Sequence, residues 1–323
     1  MKYALVFIFI GLTAAVQAQD LHVHDPVMIK ASDTYYLFCT GLGISVLSSA
    51  DMKNWKKEKP VFDSPPEWAV KTVPGFKDHI WAPDISYRDG LYYLYYSVSV
   101  FGKNTSCIGL ATNKALDPNS KDFQWIDHGK IIQSVPGRDL WNAIDPNLVY
   151  DNNKEPWLVF GSFWSGIKLV KMSNDLKRIA EPEVWYTVSK RARDYKVKDE
   201  EPGDGAVEAP FNFKKNDHYY LFVSFDFCCR GKKSTYKIVV GRSKDIYGPY
   251  IDQQGVAMNE GGGSLVLQGD TRWAGIGHNS VYSFDGKDYL VCHAYDSNDQ
   301  GKPKLKIETL EWKDGWPVVK PHP

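Results

Sequence analysis

The chain has no net charge, with 39 Lys+Arg against 39 Asp+Glu in 323 residues. Binding a polyanion needs a cationic footprint, so nucleic acid is not an expected partner. Helical patterning is nearly missing: no amphipathic run of helical period lasts even three turns. Cysteine is sparse and odd in number, with Cys39, Cys107, Cys228, Cys229 and Cys292 and no Cys-x-x-Cys spacing. That excludes a cysteine metal knuckle, and a chain of this size needs no disulfide scaffold. Cys39 and Cys292 lie in strand patterns and read as core thiols. The adjacent Cys228 and Cys229 can bond to each other, to a partner or to nothing, and the sequence leaves all three open. Gly261-Gly262-Gly263 is followed by no Lys-Ser/Thr at the Walker spacing, so it is a flexible turn rather than a phosphate loop. No organic cofactor is expected. Beyond the first residues, no apolar run approaches the length of a membrane span.

Those first residues read as a secretory signal peptide. Lys2 supplies the positive start, Ala4 to Val16 the apolar run, and Val16-Gln17-Ala18 the small residues of a cleavage site. Residues 1–18 are therefore expected to be removed, leaving a secreted or periplasmic chain from Gln19. No cysteine follows the apolar run to carry a lipid anchor.

Aromatic strands and turns are abundant, and they repeat. Glu208-Ala209-Pro210 is followed by Tyr219-Tyr220-Leu221-Phe222. The same cassette reads His24-Asp25-Pro26 with Tyr35-Tyr36-Leu37-Phe38, Trp81-Ala82-Pro83-Asp84 with Tyr92-Tyr93-Leu94-Tyr95, and Ile144-Asp145-Pro146 with Trp157-Leu158-Val159-Phe160. Gly277-His278-Asn279-Ser280 with Tyr289-Leu290-Val291-Cys292 is a fifth copy without proline. The copies recur about every 60–70 residues, a little longer than common propeller blades. Asp89-Gly90 and Asp285-Gly286 read as hairpin turns. A further turn recurs downstream, as in Ser49-Ala50-Asp51 and Ser243-Lys244-Asp245, so each unit holds about four strands. A blade cannot bury both faces alone. The expected fold is all-β, a single five-bladed propeller over residues 19–323. Pro60–Asp78, Pro118–Asn142 and Val188–Gly205 are expected as loops.

Proline opens four of the five cassettes, where its missing N–H suits a strand start and its ring pushes the preceding residue toward an extended backbone. Innermost strands line the channel, so Asp25, Asp145 and Glu208 are expected to converge there in register. A single Asp-Pro is usually a turn starter, and Asp117-Pro118, with no aromatic strand after it, is one. Three acids across a repeat are harder to explain that way, because buried like charges are costly without a function. Two carboxyl groups across a sugar are the apparatus of glycoside hydrolysis, and a third raises the pKa of the acid by repulsion.

The ordered set of cassettes resembles glycoside hydrolase family 43 over essentially the whole mature chain. Gly161-Ser162-Phe163-Trp164-Ser165-Gly166 is most similar to its arabinanase branch. The resemblance implies a five-bladed propeller and an inverting mechanism, with Asp25 as general base, Glu208 as general acid and Asp145 tuning and orienting Glu208. Asp84 follows its proline and reads as structural. The resemblance also implies a cation held by His278, commonly assigned as calcium. An axial channel of carboxylates suits a hard ion with mostly water ligands, although a lone histidine is more often a hydrogen-bonded core residue. His24 is expected to orient Asp25 or touch sugar. Trp81, Phe101 and Trp164 are the stacking candidates, Asn142 and Ser165 the candidates for hydroxyl contacts, and Gly102 gives sugar room beside Phe101. The expected activity is hydrolysis of α-1,5-linked arabinan or arabino-oligosaccharides, endo-acting. The alternatives are an exo-acting arabinofuranosidase or β-xylosidase, or a non-catalytic sugar-binding propeller.

Overall fold

Successive residues of each aromatic strand point to opposite faces, and here both faces are apolar, so each strand must be covered on two sides. A computed structural model describes residues 21–320 and shows how. The signal-peptide reading over residues 1–18 lies outside the described residues.

The first segment contains β1 (Val27–Ala31), β2 (Thr34–Cys39), β3 (Gly41–Leu42), β4 (Ser45–Ser49) and β5 (Lys56–Lys57). The second contains α1 (Glu67–Thr72), β6 (His79–Arg88), β7 (Leu91–Val98), β8 (Ser106–Asn113) and β9 (Ile126–Ser134). Next come β10 (Asn147–Tyr150), β11 (Pro156–Phe160), β12 (Ile167–Lys171) and β13 (Trp185–Ser189). The fourth group is β14 (Val207–Lys215), β15 (His218–Phe225), β16 (Lys237–Ser243) and β17 (Ser264–Gln268). The last is β18 (Trp273–Phe284), β19 (Lys287–Asp296), β20 (Lys302–Lys313) and β21 (Trp316–Val319). Each group is an antiparallel sheet in chain order, except that β3 leaves the first blade to pair with β6. The result is a five-bladed β-propeller.

The core is divided among the junctions between blades, and β2 shows the logic. Tyr36 and Phe38 pack against Ile85, Leu94 and Tyr96 of the second blade. Their neighbours Tyr35, Leu37 and Cys39 pack the other way, against Val291 of the fifth. β7, β11, β15 and β19 divide their faces in the same manner. The start of the described chain reaches across to the last blade: His22 bridges Lys304, the Val23 amide donates to the Pro303 carbonyl at 3.2 Å, and the Leu305 amide donates to the Leu21 carbonyl at 3.3 Å. Side chains also close that seam, including the Tyr282 hydroxyl, which accepts from the Met28 amide at 2.9 Å.

Asp84 ties two blades together. It is buried, and its carboxylate accepts from Asn147 Nδ2 at 3.1 Å and from the Leu148 amide at 2.8 Å. Burial pushes its carboxyl up to about 6, against those two donors. Asp84→Ala strands both donors, so unfolding experiments are expected to show a loss of about 2–4 kcal/mol. Unchanged stability would remove this role.

Several sequence expectations change. Asp89-Gly90 and Asp285-Gly286 have positive φ at both positions, 51° and 84°, then 51° and 76°, as the hairpin reading requires. Pro60–Asp78, however, contains α1, and Pro118–Asn142 contains β9. The formal glycosylation sequon at Asn104 is closed. Asn104 is fully buried and its amide donates to the carbonyls of Asp139 and Trp141.

Candidate active site

The five innermost strands share one backbone device at the cassette. Asp25, Ala82, Asp145, Ala209 and His278 all have left-handed φ, at 53°, 40°, 58°, 55° and 49°. The extended conformation expected before proline is therefore not what forms. In β6, β14 and β18 the left-handed residue sits at a bulge, which re-aims the chain. A non-glycine residue costs about 1–3 kcal/mol there, so the surroundings must hold it. They do so from the preceding blade. The amides of Ala82, Asp145 and His278 donate to Thr40 Oγ, Ser97 Oγ and Ser224 Oγ at 2.9, 3.0 and 2.8 Å. The Asp25 amide donates to His293 Nδ1 at 3.2 Å, closing the ring.

The fourth blade breaks the pattern. The position matching Thr40 and Ser97 in the third blade is Gly161, whose amide bonds to the Ile144 carbonyl and which has no side chain to offer. The Ala209 amide donates to Asp145 Oδ2 instead, at 3.0 Å. Glu208 lies one residue before the left-handed position, level with Trp81 rather than with Asp25 and Asp145. The three acids converge, but the register expected for them is off by one at Glu208, and its longer side chain makes up the difference.

Their environments differ in sign. Asp25 Oδ1 lies 2.8 Å from His24 Nδ1 and 3.0 Å from His278 Nδ1, and Oδ2 accepts from Thr40 Oγ at 2.6 Å. Burial alone would raise its carboxyl; His24 and His278 outweigh that and hold it well below the usual range. Glu208 Oε1 accepts from the Tyr236 hydroxyl at 2.8 Å and Oε2 from Ser162 at 2.7 Å. Burial still raises its carboxyl, with the Asp25 charge adding to the effect. Asp145 is raised too, chiefly by burial and further by its neighbours Glu208 and Asp25. The site therefore pushes Asp25 toward the ionised form and Glu208 and Asp145 toward the protonated one. The three carboxyls favour positive charge at His278, whose ring is pushed up to about 9 although burial opposes it.

His24, Asp25 and His293 bring one donor atom each to within 4.8 Å of one another. His293 Nδ1 is already committed to the Asp25 amide, and burial lowers its pKa well below the ordinary value. His278 points Nδ1 at Asp25, which leaves Nε2 as the ring's other nitrogen for a ligand.

The remaining candidates separate. Phe101 is 75% exposed and Gly102 has open space where a side chain would stand. Trp81 is half-buried at the axial position of its blade. Trp164 is 2% exposed and its Nε1 donates to the Asp199 carbonyl, so it pins the 188–205 segment and has no free face for stacking. Asn142 is buried with Oδ1 unpaired, and the Ser165 hydroxyl is spent on the Leu140 carbonyl. The residues that sequence reasoning missed are Thr40, Ser97, Ser162, Tyr236, His293 and Tyr295. A hydroxyl at the end of three of the five second strands (Thr40, Ser97, Ser224) was the readable signal for part of this set.

Three carboxyls on a propeller axis, one shifted toward the ionised form and two toward the protonated one, are suited to hydrolysing glycosidic bonds. Comparison with known proteins agrees. The model of glycosyl hydrolases family 43 matches residues 18–317, and the chain belongs to that family. It is 52% identical over 303 residues to an extracellular exo-α-(1→5)-L-arabinofuranosidase of Cellvibrio japonicus, covering 94% of this chain and 87% of that one. It is 45% identical to an extracellular endo-α-(1→5)-L-arabinanase of Bacillus subtilis, covering 91% and 87%. The structure of a Cellvibrio cellulosa α-L-arabinanase complexed with arabinohexaose superposes with a TM-score of 0.92 at 51% identity, covering 94% of this chain and 96% of that one.

Proposed function

We propose that the protein hydrolyses α-1,5-L-arabinofuranosidic bonds of arabinan or arabino-oligosaccharides with inversion at the anomeric carbon. The observation that carries this is the placing of Asp25 and Glu208 on one axis in surroundings that shift their carboxyls in opposite directions. Asp25, ionised and held by two histidines, takes a proton from the attacking water. Glu208, protonated, gives its proton to the leaving oxygen. Asp145 fixes the backbone beside Glu208 through the Ala209 amide and, in its ionised form, raises the pKa of Glu208 by charge. Trp81 and Phe101 are the stacking surfaces. The names of the relatives support the linkage and, with the sequence of the first residues, an exported enzyme.

The open rim at Phe101-Gly102 favours endo action, because a polymer can pass over it. A second reading, exo action, is favoured by the name of the relative with 52% identity. The test is a time course on linear debranched arabinan. A ladder of oligosaccharides with early loss of viscosity supports the endo reading. A single short product with viscosity retained supports the exo reading. No cleavage of arabinan beside rapid cleavage of β-xylosides would overturn the substrate.

Replacing Asp145 with Asn separates charge from geometry, since the amide oxygen can still accept from Ala209. Loss of the negative charge lowers the pKa of Glu208, so the proton leaves at lower pH. The basic limb of the kcat/KM profile is expected to move down and kcat to fall. A basic limb that stays in place would show that Asp145 does not tune the acid.

His278 Nε2 would hold a cation completed by water ligands once the ring gives up its proton, calcium being the expected ion. When bound, the ion would supply positive charge among the carboxyls. Ala82 and Ala209 hold the same left-handed backbone, so His278→Ala is expected to keep the fold. Elemental analysis should find an ion in the parent protein and a reduced content in the variant. Equal metal content in both would remove His278 as the ligand.

A further inference from the structure

The adjacent cysteines take no part in the steps above. Cys228 and Cys229 are bonded to each other, just beyond the end of β15. Cys229 is exposed and left-handed, at φ 64°. Its Sγ lies 3.8 Å from His24 Nε2, so the disulfide stands beside the histidine that flanks Asp25.

A directed chain of hydrogen bonds joins them. The Cys229 amide donates to the Tyr295 hydroxyl at 2.8 Å. That hydroxyl lies 2.8 Å from His24 Nε2, and His24 Nδ1 lies 2.8 Å from Asp25 Oδ1. An amide can only donate, so it occupies a lone pair of the hydroxyl and leaves the hydroxyl proton for His24 Nε2. The ring's own proton is then on Nδ1, facing Asp25. Tyr295 is 3% exposed and acts only through its neighbours.

We propose that the Cys228–Cys229 disulfide is a positioning element for Asp25, acting through Tyr295 and His24, and that its reduction slows the chemical step. The proposal rests on the reading of Asp25 as the base. A small ring through neighbouring side chains fixes the peptide between them. Once opened, Cys229 is free to leave the left-handed region, which L-residues rarely occupy, and its amide turns away from Tyr295. The hydroxyl is then free to reorient, and His24 loses the partner that sets its ring. The reductant is a dithiol. One of its thiolates attacks a cysteine sulfur, the S–S bond breaks, its second thiolate closes the reagent's own disulfide, and two electrons and two protons pass to Cys228 and Cys229.

The test treats the full chain with dithiothreitol under native conditions and counts the released thiols by alkylation and mass. Cys39, Cys107 and Cys292 are buried and should not react. With both released thiols confirmed, kcat on linear arabinan should fall about tenfold or more, as expected when a catalytic group is misplaced. KM should change by less than about twofold, and reoxidation should restore the rate. Cys228→Ser with Cys229→Ser should reproduce the loss, which covers the case of a bond that resists reduction. In Tyr295→Phe, where the relay is already cut, reduction should add nothing, whereas general loosening of the loop would act regardless. An unchanged kcat in the reduced or doubly substituted protein, or an equal further fall in Tyr295→Phe, overturns the proposal. Asp25→Ala is assayed alongside. If it turns over normally, the base assignment has failed; if it is inactive and reduction is silent, only the role of the disulfide has.

Discussion

Asp25→Ala is expected to remove turnover on every substrate, by about 10²–10⁴-fold or more. The base acts on water, so no choice of leaving group compensates for its loss. The backbone argument makes the result interpretable. Asp25 is left-handed at φ 53°, and alanine already occupies that conformation at Ala82 and Ala209 in equivalent places. Thr40 keeps a partner in the Ala82 amide, and His24 keeps Tyr295. The variant should therefore melt near the parent protein while losing its rate. Proton NMR of the first product from the parent enzyme supplies the complementary evidence. Inversion at first appearance is expected when Asp25 activates water. Retention would mean that Asp25 attacks carbon, and the assignment of roles would fail.

Glu208→Ala is expected to divide substrates by leaving group. On arabinan the departing alkoxide is strongly basic and needs the proton of Glu208, so the rate should fall by about 10²–10⁴-fold. On an aryl arabinofuranoside the phenolate leaves with little help, and the loss should be far smaller. The basic limb of the pH profile should vanish with the side chain, because burial and the Asp25 charge raise the carboxyl that this limb reports. Equal losses on both substrates would show that Glu208 is not the acid. A preserved basic limb would point to Asp145 as the group titrating there.

How far the sequence reached can be followed residue by residue. The blades were legible because each second strand is apolar on both faces, and a double-sided strand has few other homes than between two sheets. Asp25, Asp145 and Glu208 were legible because an acid stands one or two residues before a proline in three of the five cassettes. The left-handed backbone at those places was not, since the rule for residues before proline points elsewhere and the holding groups come from the neighbouring blade. Trp164 illustrates a second limit. An aromatic beside the ring strands has the right type for stacking, but only coordinates reveal that Asp199 covers it. His293 and Tyr295 were missed because their partners, Asp25 and His24, stand 268 and 271 positions away. The adjacent cysteines were visible, yet their pairing was undecidable from spacing alone.

Those separations bear on how the enzyme comes into being. Asp25, the proposed base, is made with His24 at the start of synthesis, and its other neighbours His278 and His293, with Tyr295 behind His24, are made near the end. A chain still on the ribosome, or threading through a translocation pore, carries Asp25 without His278, His293 or Tyr295 beside it. The early blades can pack as they emerge, but Leu21 and Val23 find their backbone partners at Leu305 and Pro303 only when the last blade has been made. On the reading of Asp25 as the base, activity is expected to arise together with that closure of the ring.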